Sequence, residues 1–250
     1  MKGGALERHR RDWEQLAEVD PLWAILAAPD ARGGRWKLDE FFATGEAEIA
    51  EVLEVASGFG YPERYEQALD FGCGVGRLTT ALARRFGEVI GIDISQEMIT
   101  LARRLGSSEN CRFELSTHPD LRQFPSASFD FVYSGLVLQH LPRRQLVQAY
   151  LGEFLRVLRP GGLAVFQALS HLPVARRLQP RRRAYALLHR AGLGHPFLLS
   201  RLKLTPVRLT AISEREVRST IATHGGIVVH QEEHPEAAEG IRSARYYVSV

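Results

Sequence analysis

One stretch restricts the fold of this chain more than any other. The apolar run Ala68-Leu69-Asp70-Phe71 stops in Gly72-Cys73-Gly74-Val75-Gly76, and a helical pattern begins at Arg77-Leu78-Thr79. It reads as strand, tight loop, helix. Glycines at alternate positions let the backbone take positive φ and approach a ligand with no Cβ in the way. The N–H groups exposed in such a loop, with a helix N-terminus behind them, make a site for a carboxylate or a phosphate. A second strand-like run, Glu88-Val89-Ile90-Gly91-Ile92-Asp93, ends in a carboxylate. In a doubly wound sheet that acid sits at the tip of the neighbouring strand, where it can accept both hydroxyls of a ribose.

From Tyr65 onward strands and helices alternate, which predicts a mostly parallel sheet covered on both faces. The pattern places strands at 66–71, 88–93, 111–116, 129–135 and 163–169, and helices at 76–86, 96–105, 143–158 and 214–224. Ser95 is placed to cap the second of these helices, and Ser213 with Glu216 forms a capping box for the last. Two final strands are expected near 227–233 and 244–250, where Tyr246-Tyr247-Val248-Ser249-Val250 has a β-rich composition.

Residues 6–57 precede this alternation and read as helices. Asp20-Pro21 fits a cap followed by proline at the first helical position. A longer helix is expected from near Thr44, because Ile49, Val52, Leu53 and Ala56 keep i, i+3, i+4, i+7 spacing, and Gly58 can end it. Trp13, Trp23, Trp36, Phe41 and Phe42 all fall in this leader.

At 250 residues the chain suits one large domain, or one domain with an inserted cap. The first ten residues contain no apolar run, and no stretch approaches the ~18 apolar residues of a membrane-spanning helix, so a cytoplasmic protein is expected. Cys73 and Cys111 are the only cysteines, which supports neither a disulfide framework nor a cysteine-based zinc site. The net charge of +3 hides an asymmetry: no Asp or Glu lies between Glu153 and Glu214, an interval that holds ten Arg and one Lys. Positive charge is therefore concentrated in one segment.

A dinucleotide fingerprint is spaced G-x-G-x-x-G; here the spacing is G-x-G-x-G with Asp70 just before it. This resembles motif I of the class I, Rossmann-like S-adenosylmethionine (SAM) methyltransferases. Further segments in the expected order strengthen the resemblance: Gly91-Ile92-Asp93-Ile94-Ser95, Asp120-Leu121, Ser128 through Ser134 running on to Leu138-Gln139-His140-Leu141, and Arg156-Val157-Leu158-Arg159-Pro160-Gly161-Gly162. The likeness covers roughly residues 60–170. It implies an α/β fold with a doubly wound, seven-stranded sheet, closed by an antiparallel hairpin, with N-terminal helices and an inserted helical cap. The corresponding division is 1–60 as leader and lid, 61–169 with 213–250 as the SAM-binding domain, and 170–212 as a basic substrate cap.

The resemblance also implies residue roles. Asp70, Phe71, Gly72, Cys73, Gly74 and Gly76 line the methionine end of SAM, and Arg77 either reaches the same carboxylate or faces solvent from the first helical turn. Asp93 takes the ribose hydroxyls, Ile94 lies against the adenine, and Ser95 and Met98 are nearby. Asp120-Leu121 is similar to the acidic step that reads the adenine amino group. Ser134, Gly135 and Leu136 lie beneath the methyl group. The leader aromatics either anchor it to the sheet edge or, through Arg35-Trp36 and Phe42-Ala43-Thr44, close over the SAM pocket.

If the acceptor is a hydroxyl, its proton must leave, and histidine is the usual base. His140 follows strand four at the carboxyl end of the sheet and is the first candidate, with a structural role bonding a loop carbonyl as the alternative. His171, just past strand five, is the second. No metal ligand set is expected. There is no Asn/Asp-Pro-Pro-Tyr/Phe after strand four to grip a planar nitrogen, and no Pro-Cys nucleophile, so an oxygen acceptor is the default. The leading reading is transfer of the SAM methyl group to a small molecule, a lipid-like acid or a glycan, leaving S-adenosylhomocysteine. A nucleic-acid (RNA) methyltransferase is an alternative that the arginine-rich interval suggests, though the interval has few aromatics for stacking bases. The other alternative is a non-catalytic SAM-binding module that docks on a partner or makes peripheral contact with an anionic membrane. Monomer and homodimer are both open.

Overall fold

The computed structural model describes residues 3–106, 108–234 and 240–250. Its elements in chain order begin with three helices, α1 (Gly3–Val19), α2 (Pro21–Ile25) and α3 (Leu38–Ser57). The alternating part follows as β1 (Gln67–Phe71), α4 (Arg77–Ala83), β2 (Glu88–Asp93), α5 (Gln96–Leu105), β3 (Cys111–Leu115), β4 (Phe129–Ser134), α6 (Arg144–Val157) and β5 (Leu158–His171). Three short helices, α7 (Val174–Arg177), α8 (Pro180–Arg190) and α9 (His195–Ser200), occupy the basic interval, and α10 (Glu214–Thr223), β6 (Ile227–His234) and β7 (Arg242–Ser249) complete the chain.

The seven strands form one sheet in the order β3-β2-β1-β4-β5-β7-β6. β1 through β5 pair in parallel, and β7 runs antiparallel between β5 and β6. Strand order reverses between β1 and β4, and in open α/β sheets the crevice at such a point, beyond the carboxyl ends of the strands, is where ligands bind.

Period-two alternation sorts each strand between two apolar layers. Leu69 and Phe71 of β1, Ala164, Phe166 and Ala168 of β5, and Tyr246 and Val248 of β7 pack against α6 and α10 on one face. Ala68, Phe131, Tyr133, Leu163, Val165 and Tyr247 pack against α3 and α4 on the other. Both faces are therefore buried, as parallel strands require.

Ser95 Oγ accepts from the Met98 N–H, and Ser213 with Glu216 makes the reciprocal capping box, both as the sequence predicts. Two leader expectations change. The helix foreseen from near Thr44 begins at Leu38, a full turn and more earlier, because Phe41 is wholly buried and extends the apolar stripe toward the N-terminus. Asp20 stands at the N-cap position of α2 but makes no cap bond there. Its Oδ2 accepts instead from the backbone N–H groups of Gly33 and Gly34, at 2.7 and 3.1 Å, and so closes the loop between α2 and α3.

Candidate functional site

The glycine loop takes the shape its composition requires. Gly72, Gly74 and Gly76 all have positive φ, of 79°, 53° and 87°. A Cβ on Gly72 would collide with the Val137 side chain, and one on Gly74 would meet Ile25 Cδ1 at 2.5 Å. The loop is thus pressed from both sides, by the segment after β4 and by leader helix α2.

Asp93 ends β2 beside this loop. Its Oδ2 accepts from the Gly74 N–H and its Oδ1 from the Ser95 N–H, each at 2.9 Å. A carboxylate offers about four lone-pair sites, so these bonds leave Asp93 acceptor capacity at the pocket it lines. Burial raises the Asp93 pKa from its ordinary value, while the backbone N–H bonds oppose that rise. Asp70 lies deeper, accepting from Thr79 Oγ1 at 2.7 Å, and burial pushes its pKa up to about 7.

Arg77 is buried, not facing solvent. Its guanidinium donates to Glu48 at 2.8 Å and to Thr44 Oγ1 at 3.2 Å, while Nε is buried with no partner. Glu48 also accepts from the Tyr133 hydroxyl at 2.6 Å, so α3 fixes Arg77 and the end of β4 together.

These residues surround a cavity with about 920 Å³ of empty space, its open mouth included. Of the residues singled out in the sequence, Phe71, Gly72, Cys73, Gly74, Arg77, Asp93, Ile94, Met98, Gly135 and Leu136 line it. Its roof is another matter. Leu6, His9 and Trp13 of α1 and Ile25 of α2 close the cavity from above. Arg35, Trp36, Phe42 and Thr44 do not line it; Trp36 and Phe42 pack with Phe41, Val75 and Met98 and anchor the leader. The signal for the roof is the spacing of Leu6, His9, Trp13 and Leu16, which share one face of a helix.

A second cavity, with about 1970 Å³ of empty space, adjoins the first. The two share Trp13, Ala24, Ile25, Leu136 and His140 as common wall. Beyond that wall the second cavity is bounded by Leu16 and Trp23 from the leader, Gln139 and Gln167 from the sheet end, and Arg176, Arg181 and Arg182 from the basic interval. Leu136 sits in the left-handed region at φ 60°, a conformation costly for a branched residue, and such strain collects at functional sites.

His140 is held from both sides. Its Nδ1 lies 3.1 Å from the Arg208 carbonyl, which can only accept, so Nδ1 carries the proton and Nε2 keeps its lone pair. Gln139 Nε2 lies 3.3 Å from that Nε2, and Trp13 meets the ring edge to face at 5.3 Å between centroids. Burial lowers the His140 pKa to about 4. His9, on the cavity roof, is likewise lowered to about 4, first by burial and then by the nearby His140.

Seven of the residues singled out in the sequence, Asp70, Gly76, Ser95, Asp120, Leu121, Ser134 and His171, line neither cavity. His171 is exposed at the carboxyl end of β5, paired with Arg242 of β7. Asp120 turns to solvent, where Arg122 binds it at 2.6 Å and lowers its pKa. Leu121 is fully buried in the core beside α6, its N–H bound to Glu153. The loop after β3 presents Ser116 to the cavity in place of Asp120. Ser134 is buried with its Oγ unpartnered, and Ser95 serves as the α5 cap. Gly76 stands at the N-cap position of α4, one residue behind the cavity wall. Among the described residues no group of three or more His, Cys, Asp or Glu could hold a metal ion.

A glycine loop at the switch point, an acid at the tip of β2 and a sheet closed by an antiparallel hairpin together give the Rossmann-like architecture of the class I SAM-dependent methyltransferase fold. Residues 69–166 match the family model described as a methyltransferase domain. Trans-aconitate 2-methyltransferase of Deinococcus radiodurans is 37% identical over 149 residues, which is 57% of this chain and 53% of that protein. Ubiquinone biosynthesis O-methyltransferase of Xanthomonas oryzae pv. oryzae is 32% identical over 111 residues, 44% of this chain and 45% of that protein. The chain spans about half the length of the curated relatives it matches. Magnesium protoporphyrin IX methyltransferase of Synechocystis PCC 6803, solved with S-adenosylhomocysteine, shares the fold at a TM-score of 0.61 and 16% identity, over 97% of this chain and 99% of that one.

The residues fit SAM. The unpartnered Arg77 Nε and the glycine-loop backbone suit its carboxylate, the open lone pairs of Asp93 suit its ribose, and Ile94 with buried Met98 offers an apolar face for its base.

Proposed function

We propose that this chain methylates an oxygen of an anionic small molecule held in the second cavity. The observation that carries the reading is the shared wall: Leu136 and His140 face both the SAM side and the arginine-bounded side. SAM, when bound, supplies an electrophilic methyl group on a sulfonium. The chain's own part is to align the acceptor and exclude water, and proximity of that kind can supply several kcal/mol.

The state of His140 narrows the acceptor class. An efficient base has a pKa near the working pH, and burial holds His140 at about 4. It is a weak base for an alcohol. A carboxylate is already ionised at neutral pH and needs no base, and Arg176, Arg181 and Arg182 would attract it. In this reading uncharged His140 positions the acceptor across from Leu136. The cavity's apolar wall of Leu16, Trp23 and Ile25 suits the body of a lipid-like acid or an acidic glycan. The relative whose name specifies trans-aconitate, a polycarboxylic acid, supports an acidic acceptor.

The test has two stages. Calorimetric titration with S-adenosylhomocysteine beside NADH should show binding of the first alone; binding of neither would remove the methyltransferase reading. Methyl-labelled SAM is then supplied with aliphatic and aromatic carboxylic acids and their matched alcohols. Label recovered in alkali-labile esters supports the carboxylate, and label recovered only from the alcohols would overturn it.

A further inference from the structure

The segment between β5 and α10 exposes an unusual combination of side chains. Five of the eleven large apolar side chains exposed among the described residues fall between positions 174 and 202: Val174, Leu178, Leu187, Phe197 and Leu202. Val174 and Leu187 are 71% and 70% exposed, so neither has found a partner within the chain. They are not a bare inner face. The inner face is filled, because Tyr185, Leu198 and Leu199 pack on Leu16 of α1. On α8 the inward stripe is Arg182, Tyr185 and Leu188, and the outward stripe, at i, i+4 and i+7, is Arg183, Leu187 and Arg190.

Charge on this segment is equally one-sided. No acid occurs from residue 154 to 213. Among the described residues no cation from Arg176 to Arg208 lies within ion-pair distance of an acid.

Three kinds of partner can be weighed against this surface. A second copy would set cations against cations, and like-charge juxtaposition disfavours such a contact. A nucleic acid would satisfy the arginines, but it would leave four exposed aliphatic side chains opposite phosphates, and Phe197 is the only aromatic among the exposed group to stack a base. An anionic bilayer surface accepts both components, since the aliphatic groups enter the headgroup–acyl boundary while the guanidinium groups meet lipid phosphates. No helix of the described residues is long and apolar enough to cross a membrane, so the contact would be peripheral.

We propose that the outer face of α7, α8 and α9 docks on a membrane surface rich in anionic phospholipid. Arg176 and Arg181, which bound the second cavity, lie on the same segment as Val174 and Leu178. Docking would therefore set the cavity's arginine side against the lipid and let an amphipathic acid pass between them. That last link rests on the acceptor reading above; the docking itself does not.

The experiment is co-sedimentation of the full chain with vesicles of phosphatidylcholine alone and of phosphatidylcholine mixed with phosphatidylglycerol, at low and high salt. Binding is expected only to the mixed vesicles, weakening as salt rises. Val174→Asp with Leu187→Asp should abolish it, and Arg183→Glu with Arg190→Glu should weaken it roughly tenfold or more. S-adenosylhomocysteine affinity, measured on the same samples, should stay unchanged in both variants and shows that they are folded. Absence of vesicle binding with ligand affinity intact would overturn the docking and leave the methyltransferase reading standing. Retention of binding in the Asp double variant, dimerisation in place of vesicle binding, or retardation of labelled RNA with no vesicle binding would each overturn it as well.

Discussion

Glu14 of α1 accepts a 2.8 Å hydrogen bond from the hydroxyl of Ser95, the residue that caps α5. The same carboxylate accepts from the backbone N–H groups of Gln96 at 2.7 Å and Glu97 at 3.1 Å. A leader helix thereby satisfies orphan donors at the start of a helix more than eighty residues away, where a negative charge is also favoured by the helix dipole. The bond bears on the first cavity, because Leu6, His9 and Trp13 of the same helix form its roof. Glu14→Ala is expected to cost about 1–2 kcal/mol of stability and to weaken S-adenosylhomocysteine binding several-fold. An unchanged affinity by calorimetry would mean that α1 adds nothing to the closed pocket.

Two substitutions separate the loop-holding bonds of Asp93 from the ribose contact proposed for it. Asp93→Ala leaves the N–H groups of Gly74 and Ser95 without their acceptor and should loosen the glycine loop as well as the ribose contact. Asp93→Asn keeps one acceptor oxygen. Thermal unfolding should drop mainly for alanine. S-adenosylhomocysteine affinity should fall about tenfold or more for both, on the scale of the roughly 1.5–3 kcal/mol of hydrogen bonds to charged groups.

Gly72→Ala tests the fit of the glycine loop against Gly60→Ala. Both glycines have φ of 79°, so the conformational penalty is shared. Only at Gly72 would the new Cβ strike a neighbour, Val137; at Gly60 nothing lies within 4 Å. Thermal melts should show Gly72→Ala the more destabilised by about 1–3 kcal/mol, and equal losses would show that Val137 moves aside freely.

Histidine burial makes the stability of the fold depend on pH. His9 and His140 are lowered from 6.5 to about 4 in the folded chain, so between those values the unfolded chain binds more protons. Their contribution is present above the unfolded value and lost as pH falls toward 4. Asp70 acts in the opposite sense: raised from 3.8 to about 7, it contributes most below 3.8 and loses that contribution as pH rises through about 7. The informative quantity is the difference between wild type and His140→Gln. It should shrink as pH drops from 6.5 to 4 in denaturant titrations, and a constant difference would mean that His140 titrates normally in the fold.

For the acceptor, Arg176→Ala and Arg181→Ala are expected to raise KM while S-adenosylhomocysteine affinity and kcat hold. Arg183→Ala is the control, since Arg183 is exposed and does not line the cavity. With a soluble acceptor its kinetics should match the wild type; a KM rise there alone would relocate the acceptor site.

The sequence by itself determined the strand–loop–helix unit at Gly72–Gly76, the acid at Asp93, the Ser95 and Ser213 caps, and the assignment of strands to two buried layers. Each follows from a local rule: positive φ, an orphan N–H group, or a period of two. The tertiary structure decided which residues close the site. Trp13 and not Trp36 forms its roof, Ser116 and not Asp120 borders the first cavity, and His140 and not His171 stands between the two cavities. It also moved the Asp20 carboxylate from an expected helix cap to a loop clasp. Those outcomes depend on how α1 and α2 settle on the carboxyl ends of the strands. Contacts such as Glu14 with Ser95, or Ile25 over Gly74, join positions far apart in the chain, and packing selects them where no local periodicity marks the pair.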